Sequence, residues 1–208
     1  PEPTVYPRTT GKDGQLIATP KNDWTEGFYP GCLWYIYEHN REESWKQSAV
    51  KWTEALEPMK KLTSHHDIGF LIYCSFGNGY RLTGKEEYKD VIIEAANSLT
   101  TRFSEVTGCI KSWNYRKAWN GKDEWFYPVI IDNMMNLELL YFASKVTGDT
   151  RYAKIATTHA ETTAKNQLRE DYSNYHVVDY DTLTGKVLHQ ATCQGFSDNS
   201  AWARGQAW

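Results

Sequence analysis

The sequence predicts an all-α fold in which helical hairpins follow one another around a toroid or along a solenoid, and three observations carry that expectation. One apolar stripe recurs three times: Trp45, Ser48, Ala49, Trp52 and Leu56; Tyr88, Val91, Ile92, Ala95 and Leu99; and Tyr152, Ile155, Ala156, His159 and Thr163. Its i, i+3, i+4, i+7, i+11 spacing is that of one face of an α-helix. Thr83-Gly84 and Thr147-Gly148 introduce the second and third stripes as glycine turns between helices, and the less similar Asn40-Arg41-Glu42-Glu43-Ser44 introduces the first. Finally, the segments ahead of those turns, 28–38, 68–76 and 134–146, are apolar around most of their circumference, which marks helices enclosed on more than one side.

In chain order, residues 1–23 form a lead-in segment, and each enclosed arm is followed by a one-sided outer arm. The stretches 109–131 and 175–194 break the helical period. The second reads as a β-hairpin, with Val177-Val178-Asp179-Tyr180 and Val187-Leu188 flanking a Thr184-Gly185 turn. Such insertions belong at one rim, and the 208 residues are expected to form a single domain.

Composition narrows the function. With 23 Lys and Arg against 26 Asp and Glu, a net charge of -3 and no basic block, the chain lacks the surface that tracks phosphates, so nucleic acid is not expected as a partner. No apolar run reaches the roughly 18 residues of a membrane helix. Cys32, Cys74, Cys109 and Cys193 are too sparse for a disulfide framework and lack zinc-site pairing, so buried thiols, no metal and no cofactor are expected. The chain opens at Pro1 without Met or an apolar leader and stops in Ala201–Trp208 without a helix-ending Gly or Pro, so a longer polypeptide is expected. A bacterial periplasmic location is favoured over a cytoplasmic one. Of the nine Trp and 14 Tyr most are read as core filler; for the remainder, flat faces suit the C–H faces of sugar rings, which raises a carbohydrate site.

The repeat also places the acids. Asp23, Asp67 and Asp132 stand 17, 16 and 15 residues before the matched positions Asn40, Thr83 and Thr147, each near the start of an enclosed arm, and Asp198 is expected to open a fourth. Parallel arms would gather these carboxylates at one mouth. For Asp23 and Asp198 a helix N-cap is the better reading. Asp67, in Ser64-His65-His66-Asp67, and Asp132, in Ile131-Asp132-Asn133-Met134-Met135-Asn136, have richer surroundings than a cap requires, and paired carboxylates at one rim are what acid and base chemistry on sugars uses. His159 lies in the apolar stripe and reads as a core histidine. His176, at the base of the predicted hairpin, is kept as a site candidate.

Over 132–144, 171–181 and 194–208 the chain closely resembles glycoside hydrolase family 88, the unsaturated glucuronyl hydrolases, and the likeness runs from about Trp24 to Trp208. The resemblance implies an (α/α)6 barrel of six hairpins, of which this chain supplies roughly the N-terminal half. It assigns Asp132 as catalytic acid/base and Asp67 as the second essential acid. Trp24, His176, Gln194, Arg204 and Trp208 match substrate-holding positions, with His66 a further neighbour of Asp67. The implied substrate is a lyase-generated oligosaccharide ending in a uronic acid with a C4=C5 double bond, of the glycosaminoglycan type. Three other readings stay open: an unsaturated rhamnogalacturonyl hydrolase acting on pectin fragments, a conventional two-carboxylate glycosidase, and a helical-repeat protein that binds sugars without catalysis.

Overall fold

Helices with short antiparallel strand pairs between them make up the computed structural model, which describes residues 3–20, 22–118, 121 and 123–208. Two units are distinguished, residues 1–62 with 67–98 and residues 63–66 with 99–208. Pro1, Glu2 and Lys21 of the lead-in, and Trp119, Asn120 and Lys122 of the irregular stretch, lie outside the described residues.

In the first unit the lead-in contains a hairpin, β1 (Val5–Thr10) against β2 (Leu16–Pro20). Within β1 only Tyr6 is buried; its hydroxyl donates to the Trp52 carbonyl at 3.0 Å and its ring meets the Trp52 indole edge-on at 5.0 Å. The first enclosed arm is α1 (Phe28–Asn40), and its outer partner is α2 (Glu43–Glu54). A buried hydrogen bond joins them, Trp34 Nε1 donating to Thr53 Oγ1 at 2.9 Å. A 3-10 turn, Glu57–Lys61, leads on to the second pair. There the enclosed arm is broken into α3 (Ile68–Ile72), a π-helical segment (Tyr73–Gly77) and α4 (Asn78–Thr83), and the outer arm is α5 (Glu86–Thr100).

The turns explain the repeat. Gly84 and Gly148 end their helices in the left-handed conformation, φ 66 and 75°, each N–H donating to the carbonyl four residues back. Arg41 makes the same cap at φ 60°, its N–H reaching Tyr37 O. The first turn therefore shares the geometry of the others with a different residue, and its weaker sequence likeness follows from that substitution.

The second unit holds β3 (Phe103–Ser104) against β4 (Cys109–Ile110) and β5 (Arg116–Lys117) against β6 (Glu124–Trp125). Beyond these lies β7 (Pro128–Ile130). The enclosed arm expected from residue 134 begins later, as α6 (Leu137–Thr147), because Ile131–Asn136 winds as a 3-10 turn. The outer arm is α7 (Thr150–Gln167), capped by Asp149, which accepts from Arg151 N. The expected hairpin is present as β8 (Val177–Tyr180) and β9 (Val187–Ala191), with its turn at Gly185, φ 70°. It gains a third strand, since Ile130 pairs with Val177 and Val129 with Val178, all buried. The last helix is α8 (Ala203–Ala207). Asp198 does not open it: Trp202 occupies the N-cap position, and Asp198 Oδ1 accepts from Thr192 N at 2.8 Å, closing the loop after β9.

His159 is fully buried on the inner stripe of α7, its Nδ1 accepting from Ile110 N at 3.0 Å. Burial, with His66 nearby, pushes its pKa down from 6.5 to about 3. A depressed folded-state pKa means that the neutral ring stabilises the fold above pH 6.5, and that contribution is lost as pH falls toward 3. His159→Asn keeps an acceptor for Ile110 N without the proton uptake. Thermal unfolding followed from neutral to acid pH is expected to decline less steeply in this variant, by up to about 1.4 kcal/mol per pH unit. Parallel stability curves would contradict it.

Candidate functional site

The 3-10 turn that delays α6 buries Asp132, leaving it 6% exposed, together with Asn133 and Asn136. Asn133 Nδ2 donates to Ile110 O at 2.8 Å, tying the turn to β4. Across from the turn, His176 is 1% exposed, and its Nε2 lies 3.8 Å from Asp132 Oδ1. His176 immediately precedes β8, and its carbonyl accepts from Ile131 N at 3.0 Å, so strand pairing fixes the spacing of the two side chains.

The loop 192–200 frames the other side of His176. The backbone N–H groups of Cys193 and Gln194 both donate to His176 Nδ1, at 3.0 and 3.2 Å. Burial pushes the Cys193 thiol up, against an opposite pull from Arg116 and with a lesser push from the Asp132 charge. Gln194 Oε1 accepts from Arg204 Nη2 at 2.7 Å, and the Arg204 guanidinium lies 4.4 Å over the Trp202 ring. Trp202 in turn faces His176, with ring centroids 4.4 Å apart.

Gly205 lets α8 approach this group, because a Cβ there would meet Ile131 Cγ2 at 2.9 Å and Trp202 at 2.7 Å. The helix that carries Arg204 and the half-buried Trp208 is thus seated against the Asp132 turn. His66, fully buried, has Nδ1 3.4 Å from Ser112 Oγ and 3.5 Å from Asn136 Nδ2, four residues beyond Asp132.

Asp67 and Trp24 belong to the first unit. Asp67 is 9% exposed at the N-cap position of α3, yet its side chain makes no capping hydrogen bond. Trp24 is half-buried, packed edge-on against Phe28 at 5.8 Å and against Phe70 at 5.9 Å, with Arg8 over its ring at 5.6 Å. Asp23 does not cap α1, whose N-cap position is Gly27; it accepts from Thr25 N and Thr25 Oγ1 in the turn ahead of the helix, where Glu26 Oε1 accepts from Asp23 N.

Among the sequence candidates the second unit therefore brings together Asp132, His176, Gln194 and Arg204. Trp202, Asn136 and Ser112 join them without having been singled out. Trp202 stands two residues before Arg204, and its role emerges only when the chain turns into α8. Among the described residues no helix is long and apolar enough to cross a membrane, and no three His, Cys, Asp or Glu side chains cluster as a metal site.

A guanidinium, an amide and an indole gathered around the His176 imidazole, whose Nε2 lies 3.8 Å from the buried Asp132 carboxylate, are chemically suited to binding a polar ring and moving a proton on it. Known proteins share this arrangement of the chain. Unsaturated glucuronyl hydrolase from Formosa agariphila is 47% identical over 98% of this chain and 50% of its own length. Unsaturated chondroitin disaccharide hydrolase from Streptococcus agalactiae is 39% identical over 98% and 50%. The crystal structure of an unsaturated glucuronyl hydrolase specific for heparin superposes with a TM-score of 0.93 at 46% identity, covering 99% of this chain and 54% of that one. The chain spans about half the length of the curated relatives it matches. The model of Glycosyl Hydrolase Family 88 matches residues 4–208, and the chain belongs to that family.

Proposed function

We propose that residues 1–208 are the N-terminal half of a single-domain (α/α)6 barrel enzyme. It removes a C4=C5 unsaturated uronic acid from the non-reducing end of lyase-generated glycosaminoglycan oligosaccharides. The observation that carries this reading is the 47% identity with the Formosa agariphila unsaturated glucuronyl hydrolase over nearly the whole chain. The placing of His176, with its neighbours Gln194, Arg204 and Trp202, beside the buried Asp132 supports it.

In this reading Asp132 begins protonated and donates to C4. Because the double bond adjoins the ring oxygen, positive charge is left shared between C5 and that oxygen. Water adds at C5 and gives a proton to the Asp132 carboxylate. The hemiketal that results opens the ring and releases the neighbouring sugar without displacement at C1. Asp67 is the second acid. His66, His176 and Gln194 orient ring substituents or the water, Arg204 meets the uronate carboxylate, and Trp24 and Trp208 supply aromatic walls. Arg204 is suited to its part because a guanidinium pairs with a carboxylate through two parallel hydrogen bonds.

A panel of lyase-generated disaccharides from chondroitin, hyaluronan, heparin and pectin tests the reading on the complete enzyme. Loss of ultraviolet absorbance is expected with the glycosaminoglycan products, and reaction in heavy water is expected to place deuterium at C4. Turnover of the pectin fragments alone would favour the rhamnogalacturonyl alternative, and product without deuterium at C4 would remove hydration of the double bond.

A further inference from the structure

We infer that His176 is held as a neutral imidazole with its one proton on Nε2, an N–H fixed toward Asp132 across a gap longer than a hydrogen bond, and never a proton carrier. The inference deepens the proposed function, since it concerns what Asp132 needs from its neighbour. Its first half rests on backbone geometry alone.

The backbone N–H groups of Cys193 and Gln194 both point at Nδ1, at 3.0 and 3.2 Å. A nitrogen that accepts hydrogen bonds has its lone pair free and carries no proton. A hydroxyl or a water in their place could rotate and become an acceptor; a backbone amide cannot. Protonating Nδ1 would set its hydrogen against two others and leave two donors unpaired in a largely buried place, which is unfavourable. The neutral ring must then carry its hydrogen on Nε2, which lies 3.8 Å from Asp132 Oδ1.

The loop that delivers the two amides is itself tied down. Thr192 Oγ1 accepts from Gly195 N, Asp198 Oδ1 accepts from Thr192 N, and Arg169 Nη2 donates to the carbonyls of Asp198 and Ser200. Trp202 packs against the imidazole at 4.4 Å and Trp113 meets it at 90° from 6.4 Å, which opposes rotation of the ring. The charged and titratable groups around it are Arg204 on α8, Arg116 on β5, His66 and Asp132. Of these only Asp132 favours an imidazolium. Burial above all, then Arg204, His66 and Arg116, push the ring down to about 3.

The consequence for the reaction is directional. A donor that cannot release its proton favours the carboxylate of Asp132 and so assists the step in which the proton leaves for C4. It cannot take that proton itself. His176 is thus a positioning residue for the acid, in addition to any contact with the sugar.

Histidine-selective 15N NMR of the complete enzyme reads the tautomer directly, with the His176 signals identified by their absence in His176→Gln. Nε2 is expected protonated and Nδ1 unprotonated, unchanged from about pH 8 to about pH 5, the interval in which an ordinary histidine titrates. A proton on Nδ1, or titration within that interval, would overturn the inference. The kinetic arm compares two variants: glutamine can present an amide N–H near the place of Nε2, and leucine cannot. His176→Gln is expected within about tenfold of wild-type kcat/KM and His176→Leu lower by roughly 10- to 100-fold. In the leucine variant the alkaline loss of activity should also move to higher pH, because the Asp132 carboxylate is less stabilised. Equal variants with an unmoved profile would overturn the service to Asp132. A wild-type enzyme inactive on the whole disaccharide panel would overturn the proposed function, and the NMR result would still decide the tautomer.

Discussion

Asp132→Asn in the complete enzyme is expected to lower the rate of double-bond loss by roughly 10²- to 10⁴-fold, the contribution of a positioned general acid. Substrate binding and folding should be largely kept. The amide occupies the same volume in the 3-10 turn, and Nε2–H of His176 can still face its oxygen, so the buried site is not left with a cavity. What the amide lacks is a proton that it can give to C4 and recover from water. Ultraviolet-monitored kinetics beside a thermal melt separates the cases. An unfolded variant says nothing of catalysis, whereas a folded one that still consumes the double bond at the wild-type rate would remove Asp132 from the reaction.

Gly27→Ala is expected to be the most disruptive single methyl in the first unit. A Cβ at this position would lie 2.0 Å from the Phe70 carbonyl oxygen and 2.6 Å from that of Leu71. Both obstacles are backbone, so no rotamer change relieves them, and the start of α1 must move away from α3. Overpacking of this kind costs about 1–3 kcal/mol and occasionally more. The displacement would also reach the site candidates on either side, since Trp24 packs on Phe28 and Phe70. A melting temperature lowered by several degrees is the expected readout; an unchanged one would show that the helices can separate at no cost.

Much of this architecture was legible because helical burial leaves a periodic trace. The stripes led to α2, α5 and α7, and His159 was read as a core residue from its place in one of them. The three-hairpin offset placed Asp67 and Asp132 near the starts of the second and third enclosed arms without a motif. The hairpin in the lead-in was not read, because within β1 only Tyr6 turns inward and a single buried side chain makes no alternation. Asp198 was read as a helix opener from its sequence context, but its carboxylate closes the loop onto Thr192 instead. The setting of His176 escaped for a different reason. Its partners at Nδ1 are the amides of Cys193 and Gln194, and backbone donors have no residue type by which a sequence can announce them. The chemistry of a side chain is legible one residue at a time; the proton it carries is decided by the loop folded around it.

The π-helical segment Tyr73–Gly77 has a consequence for the whole second enclosed arm. An α-helix advances each residue by about 100°, and one extra residue wound into a turn sets everything beyond it back by about that angle. Asp67 and the Gly84 turn, at opposite ends of the arm, are therefore set at a different relative rotation from the one an uninterrupted α-helix would give. The Asp67 end is oriented by the contact of α3 with Gly27, and the far end by the seating of Gly79 against Tyr88 and Trp34. The offset set by the segment thus lets both close contacts, Gly27 against the Phe70 and Leu71 carbonyls and Gly79 against Tyr88 and Trp34, be met by one continuous arm.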